Sequence, residues 1–226
     1  MQSKILIVED ETILREIAKD YLIKEKYEVY EATDGEQALA LFEEYLFDLI
    51  ILDIMLPAVD GWSVCRRIRK MSNVPVILLT ARSDEEDTLL GFELGTDDYV
   101  TKPFKPNILL ARAKRLFKNS IRPSHQQDSI DLCGIYVDKL ARTVVVEGTK
   151  IDFTHTEYEI LVCLMEHKEQ VLTRETLITH IWGYDYGGDD KTLTAHMRNV
   201  RLKLGEKGKH ITTVIRTGYK FEVNQK

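Results

Sequence analysis

Five residues in the first half of the chain have the types that phosphoryl chemistry needs: Glu9, Asp10, Asp53, Thr80 and Lys102. Each stands at or just after the end of a short aliphatic run. Three carboxylates cannot remain ionised side by side without a cation between them. Hard, all-oxygen ligands in small number suit Mg²⁺, which keeps waters and bridges to phosphate. A carboxylate beside such an ion can attack a phosphoryl group and form an aspartyl phosphate. Lys102 would then pair with the phosphate oxygens, and Thr80 could hydrogen-bond one of them. Any one of these acids is as well explained as a helix cap or as an ion-pair partner of Lys102. The information lies in all five falling at strand ends.

Those ends follow from the pattern. Aliphatic runs recur at Lys4–Val8, Tyr27–Ala32, Leu49–Leu52, Val76–Thr80 and Tyr99–Thr101, with helix-period segments between them. Ile13, Leu14, Ile17, Tyr21 and Leu22 make one apolar stripe. Ala38, Leu39, Leu41 and Phe42 make a second, which Asp34 could cap. Val64, Ile68 and Met71 mark the third helix, Leu89, Phe92 and Leu94 the fourth, and Ile108–Leu116 the fifth. Strands apolar on both faces, alternating with helices, predict an α/β fold with a doubly wound parallel sheet, (βα)5. Its site lies beyond the carboxyl ends of the strands.

The chain has 226 residues, 44% hydrophobic and 30% charged, enough for two ordinary domains. Its net charge of −6 is unevenly spread. Residues 1–120 carry 16 Lys and Arg against 22 Asp and Glu, whereas residues 121–226 carry 15 of each. Within 191–220, eight basic residues face one acid, Glu206. The aliphatic runs are too short to span a bilayer, and Met1–Lys4 has no secretory pattern. Three widely spaced cysteines (Cys65, Cys133, Cys163) fit reduced thiols in a cytoplasmic protein rather than a disulfide frame or zinc site. From Asn119 to Asp128 the chain is polar, contains Pro123 and has no hydrophobic period. It is expected to be a linker between domains at 1–118 and 129–226.

After the linker, β-branched residues alternate loosely from Ile130 to Phe153, punctuated by Gly134 and Gly148, as short antiparallel strands do. Thr154 and Glu157 form a capping-box pattern that opens a helix. Thr173 starts a shorter one, and Asp189 or Asp190 caps a third that runs to Leu204. Segments around Ile211–Ile215 and Tyr219–Val223 make a final hairpin. On the third helix Leu193, Met197, Val200 and Leu204 share a core face. Opposite are Lys191, Ala195, Arg198, Asn199 and Leu202, flanked by Thr192, Thr194, His196, Arg201 and Lys203. Arg can read guanine, Asn adenine, and Ala a thymine methyl, while flanking groups hold phosphates. Arg216, near the hairpin tip, could enter a minor groove or meet the backbone. A basic segment is often only a solvated helix face, but these residue types favour double-stranded DNA.

The segments ending in Glu9-Asp10-Glu11, running from Asp53 through Pro57 to Asp60-Gly61, at Thr80-Ala81-Arg82, and from Asp97-Asp98-Tyr99 to Lys102-Pro103-Phe104 resemble the receiver domain of bacterial two-component response regulators. The resemblance covers about the first 118 residues. It implies that Asp53 accepts phosphate from a sensor histidine kinase. Asp10, Asp53 and the backbone carbonyl of Met55 would hold Mg²⁺, with Glu9 acting through water. Lys102 would contact the phosphoryl group, its bond to Pro103 would be cis, and Thr80 and Tyr99 would form a coupled switch pair. Residues 128–223 resemble the winged-helix effector domain of the OmpR/PhoB subfamily, through Leu172–Leu177, Ile181–Asp185, Thr192–Arg198 and Thr217-Gly218-Tyr219. That resemblance implies a smaller α+β domain whose third helix recognises promoter DNA, with RNA polymerase as a further candidate partner and no role for a membrane.

The subfamily pairs its receivers through the fourth helix, fifth strand and fifth helix, commonly with a basic residue opposite a Glu. Thr88 and Ile108 stand at those positions here. Asp97, Asp98 and Arg112 remain for charge pairing, and Leu89, Leu90 and Ile108 for an apolar contact, so a homodimer is expected upon phosphorylation. Asn199 and Leu202 occupy positions often basic in relatives, and Arg216 one often held by Gly. Two other readings use the same residues. A Mg²⁺-dependent phosphatase or phosphotransferase would need a proton donor two residues beyond Asp53, where Met55 stands, and a cap domain that the chain lacks. A regulator working without phosphorylation would leave Asp10, Asp53 and Lys102 without a purpose. The expected chemistry is therefore limited to self-phosphorylation and self-dephosphorylation at Asp53, not turnover of a substrate.

Overall fold

The computed structural model describes residues 2–81, 95–118, 128–183, 186 and 190–223. The chain divides into two compact units, Met1–Arg122 and Pro123–Lys226. In the first, β1 (Lys4–Val8), α1 (Thr12–Lys24), β2 (Glu28–Ala32), α2 (Gly35–Glu44), β3 (Leu49–Asp53), α3 (Gly61–Met71), β4 (Val76–Ala81), β5 (Asp98–Lys102) and α4 (Pro106–Lys118) follow one another. The five strands form one parallel sheet in the order β2-β1-β3-β4-β5. The helix expected around Leu89, Phe92 and Leu94, with Thr88 and Leu90, lies outside the described residues, as do residues 119–127 of the linker expected at 119–128.

Strand side chains alternate between the two faces of a sheet, which explains why these strands are apolar throughout. Ile5, Ile7, Leu49, Ile51, Ile77 and Leu79 pack under Ala18 and Leu22 of α1 and Leu109, Ala113 and Leu116 of α4. Leu6, Val8, Ile50, Leu52, Val76 and Leu78 pack against Ala38 of α2 and Val64, Cys65 and Ile68 of α3. Asp34 caps α2 as its position suggested, accepting from Gln37 N at 2.8 Å. Asp60 does the same for α3, accepting from Ser63 N at 2.9 Å.

The second unit opens with a four-stranded antiparallel sheet of β6 (Ser129–Leu132), β7 (Ile135–Asp138), β8 (Thr143–Val146) and β9 (Thr149–Ile151). Helices α5 (His155–Glu166), α6 (Arg174–Trp182) and α7 (Asp190–Leu204) follow, with β10 (Val171–Thr173) between the first two. A 3₁₀ turn at Gly205–His210 leads into the hairpin β11 (Ile211–Val214) and β12 (Gly218–Phe221). β10 adds to that hairpin as a third strand, in the order β10-β12-β11. Both the third strand and the 3₁₀ turn are additions to what the pattern suggests. The capping box at Thr154 and Glu157 is present, and Thr173 caps α6. Asp189 and the Asp190 side chain, the expected caps of α7, lie outside the described residues. Cys65, Cys133 and Cys163 are free thiols, the first and last buried. Among the described residues no helix is long and apolar enough to cross a membrane.

Two contacts set how rigidly these units hold their functional elements. A methyl group on Gly61, at the start of α3, would lie 2.0 Å from the carbonyl oxygen of Asp53. Gly61→Ala must therefore move the end of β3, at a cost of about 1–3 kcal/mol. A lowered urea midpoint for receiver unfolding is the expected result. In the second unit Arg201 donates to the Ile211 carbonyl at 2.7 Å and to Thr213 Oγ1 at 2.8 Å. Its guanidinium also sits 5.6 Å from the centre of the Tyr219 ring. Arg201→Ala is expected to destabilise this unit by about 1–3 kcal/mol, read as a lower melting temperature in the absence of DNA.

Candidate functional site

Parallel pairing brings the strand ends together. Val8 is in register with Leu52, so the next residues, Glu9 and Asp53, are neighbours at the sheet edge. Asp53 is in register with Leu79, and Thr80 and Ala81 with Thr101 and Lys102. The order of strands reverses between β1 and β3, where crevices open in sheets of this kind. Glu9, Asp53 and Thr80 are buried, at 0%, 2% and 4% exposure. Asp10 is exposed at the rim.

Lys102 reaches in from β5. Its Nζ lies 2.6 Å from Asp53 Oδ2 and 2.8 Å from Glu9 Oε1. Glu9 Oε2 is 2.7 Å from the same nitrogen but lacks hydrogen-bond geometry and is otherwise buried without a partner. The next peptide bond, Lys102–Pro103, is cis. Burial pushes the Glu9 pKa up, against the hydrogen bond from Lys102, and the Asp53 charge adds to the rise. Burial alone would lower the Lys102 pKa, but hydrogen bonds to Asp53 and Glu9 outweigh it and hold the ammonium charged above the ordinary lysine value. One ammonium thus faces two buried carboxylates, with a third, Asp10, at the rim.

Glu9, Asp10 and Asp53 each offer an oxygen within 4.8 Å of the others'. Among the described residues this is the one such group of His, Cys, Asp or Glu. With all-oxygen donors, a buried Glu9 oxygen that accepts no hydrogen bond and excess negative charge, the set fits a hard divalent cation such as Mg²⁺. The backbone nitrogen of Met55 donates to Asp53 Oδ1 at 3.1 Å, while the Met55 side chain is 71% exposed. Arg15 was not singled out by the sequence pattern. It donates to the Glu9 carbonyl at 2.7 Å and sits 3.3 Å from Glu31 Oε2, fixing the backbone that carries the acids. Tyr99 is half-buried against the core packed on α2 and α3.

The residues expected to mediate charge pairing between receivers sit elsewhere. Asp97 and Asp98 are both 0% exposed. Asp97 Oδ2 accepts from Arg69 Nη2 and from Val76 N, each at 3.0 Å, and so joins α3 to the start of β4. Asp98 accepts from Arg112 at 3.1 Å and Arg115 at 3.2 Å, joining β5 to α4. A carboxylate this deeply buried must be paired within its own fold, which corrects the expectation that Asp97 and Asp98 are free for a partner, while the Arg112 side chain, bonded to Asp98, keeps 12% exposure. Ile108 is 46% exposed. Leu90 lies outside the described residues.

On α7 the core face is as expected: Leu193, Met197 and Val200 are 0% exposed and Leu204 is 2%. The outer face differs. Thr192, His196 and Ala195 are buried, at 1%, 0% and 9%. Tyr186 donates to the Thr192 hydroxyl, and His196 lies against Trp182 at 5.7 Å between ring centres. Arg201 turns to the hairpin, as described above, and Lys203 bonds Glu157 Oε2 at 2.5 Å. Thr192, Ala195 and His196 therefore build the domain, correcting the expectation that they face DNA, whereas Arg201 and Lys203 are half-buried with internal acceptors. A helical wheel gives angles but not what neighbouring elements cover. The exposed side chains described on α7 are Lys191, Thr194, Arg198 and Leu202, with Asn199 half-buried beside them. Arg216, in the turn between β11 and β12, is exposed and has a backbone φ of 62°.

Residues 5–114 match the response regulator receiver domain family, and residues 148–221 the family described as transcriptional regulatory protein, C terminal. The transcriptional regulatory protein ResD of Bacillus subtilis (strain 168) is 38% identical over 232 residues, covering 98% of this chain and 97% of ResD. The response regulator ArlR of Staphylococcus aureus (strain Mu50) is 40% identical over 219 residues, covering 96% and 98%. The crystal structure of DrrB, a Thermotoga maritima OmpR/PhoB homolog, is 33% identical, with a TM-score of 0.53 over 98% of this chain and 100% of that one. A structure of the RitR mutant C128D gives a TM-score of 0.76 at 26% identity, over 98% and 100%. With an acid-lined receiver edge in one unit and a partly basic helix in the other, the chain belongs to the OmpR/PhoB-type response regulators, which regulate transcription under the control of phosphorylation in two-component systems.

Proposed function

We propose that Asp53 is the phosphoacceptor of this regulator and that a sensor histidine kinase is its donor. The observation that carries the reading is Lys102 Nζ at 2.6 Å from Asp53 and 2.8 Å from Glu9, at a sheet edge with Asp10 on its rim. An Asp53 carboxylate oxygen attacks phosphorus, and the bond from phosphorus to the donor breaks as the new O–P bond forms. Lys102, already charged and aimed at Asp53, is positioned to turn to the phosphoryl oxygens. Glu9, Asp10, Asp53 and the Met55 carbonyl would hold Mg²⁺. Bound there, the ion offsets the negative charge that builds up on the phosphoryl oxygens. Self-dephosphorylation at the same site would return the protein to its resting state.

The signal then leaves through β4 and β5. Thr80 is the penultimate residue of β4, beside the site, and Tyr99 is on β5 three residues before Lys102, so a shift of Thr80 toward the phosphoryl group alters the space open to Tyr99. Receivers pair in the phosphorylated state through the surface of Ile108, Leu90 and Arg112. With Asp97 and Asp98 engaged internally, this contact relies more on apolar surface than on charge. Pairing makes the second effector domain's contact with promoter DNA effectively intramolecular. DNA is met by Lys191, Thr194, Arg198 and Asn199 of α7 and by Arg216 of the hairpin, with RNA polymerase as a further partner at the promoter, in the cytoplasm.

Asp53→Asn is expected to abolish labelling by radioactive acetyl phosphate in the presence of Mg²⁺, while leaving the circular dichroism spectrum unchanged. Labelling that persists in this variant would identify a different nucleophile.

A further inference from the structure

The exposed side chains described on α7 follow a regular spacing. Lys191, Thr194, Arg198 and Leu202 are at positions i, i+3, i+7 and i+11, which form a single stripe along an α-helix. Every other described side chain on the helix is buried or half-buried. The stripe runs from a cation through a hydroxyl and a guanidinium to an aliphatic side chain. Leu202 is 67% exposed, although the core of the same domain accommodates Leu193 and Leu204 at 0% and 2%. It is no stray core residue, because the helical turn it occupies buries Val200 and Leu204 on the opposite side.

An exposed leucine in line with Arg198, on the most basic segment of the chain, is suited to meet something both apolar and embedded in negative charge. The C5-methyl of thymine in the major groove is such a group. It is the one apolar projection among the base edges there. We infer that Leu202 is a specificity-determining residue that recognises a thymine methyl. This rests on the proposed DNA contact of α7 and specifies its substrate class. Side chains four residues apart on a helix are about 6 Å apart, and base pairs are stacked about 3.4 Å apart. The thymine is therefore within about two base pairs of the base met by Arg198. Arg198 can grip guanine O6 and N7, so the half-site contains a guanine and a thymine in close succession. Leu202 neutralises no phosphate, so it contributes to sequence preference without contributing to salt dependence.

The experiment begins with the full-length protein, phosphorylated with acetyl phosphate and Mg²⁺, selecting from a randomised duplex library. Each thymine in the enriched sequence is then replaced singly by deoxyuridine, which removes only the methyl group. Binding is measured for the wild type and for Leu202→Ala, a substitution at an exposed position to a good helix former. For the wild type, one thymine-to-uracil change is expected to weaken binding about three- to fivefold, the worth of one buried methyl. Leu202→Ala should lose a similar factor on the thymine duplex and be indifferent to that change, with the slope of affinity against salt unaltered. An enriched site at which no methyl matters, or at which Leu202→Ala keeps the wild-type sensitivity, overturns the inference while leaving the DNA reading intact. A reduced salt slope in the variant overturns it as well, since Leu202 would then act by placing cations. A library that yields no enriched sequence overturns both readings together.

Discussion

The receiver depends on an unbalanced cluster of charges at the carboxyl edge of a parallel sheet. Glu9 and Asp53 are buried against the ammonium of Lys102, with Asp10 at the rim. One positive charge does not balance two buried carboxylates and a third at the solvent-exposed rim. The site is therefore stable in a form that still attracts cations, and it holds its ammonium where an anion would arrive. The surrounding architecture serves this arrangement. Gly61 lets α3 begin against the Asp53 carbonyl, Arg15 fixes the Glu9 backbone, and the cis Lys102–Pro103 bond follows the lysine directly.

The other acids of the receiver are treated in the opposite way. Asp97 and Asp98 are fully buried, and each is met by arginine: Arg69 for the first, Arg112 and Arg115 for the second. Breaking a buried pair of this kind leaves an uncompensated charge, a large cost. These acids thus brace β4 and β5 against α3 and α4, the two strands that also carry Thr80, Tyr99 and Lys102. Charge at the functional edge is left unsatisfied, while charge a few residues away is fully matched. That contrast separates a reactive cluster from a structural one more clearly than residue type does.

The effector unit uses its basic residues in two places. Arg201 and Lys203 have internal acceptors and hold α7 to the hairpin and to α5, whereas Lys191 and Arg198 are on the exposed stripe. The charge of this segment is therefore partly scaffold and partly surface. Glu157 joins the two tasks, closing the capping box of α5 through Thr154 N and accepting Lys203 through the same oxygen.

Much of this was legible in the sequence. Apolar runs with two-faced burial and helix-period stripes specify the parallel sheet, because side-chain period follows directly from backbone geometry. The caps at Asp34, Thr154 and Thr173 are local, and so is the placement of Glu9, Asp53, Thr80 and Lys102 at strand ends. Short-range patterns suffice wherever the partners are a few residues apart or where strand order is implied by alternation. Tertiary structure alone decided which polar groups are covered. Asp97 and Arg69 are 28 residues apart, Lys203 and Glu157 are 46 apart, and no periodicity links such pairs. The burial of Thr192, Ala195 and His196 likewise depends on what packs against α7 from outside the helix. Sequence thus determined which residues could act; the packing of distant segments determined which of them remain exposed to do so.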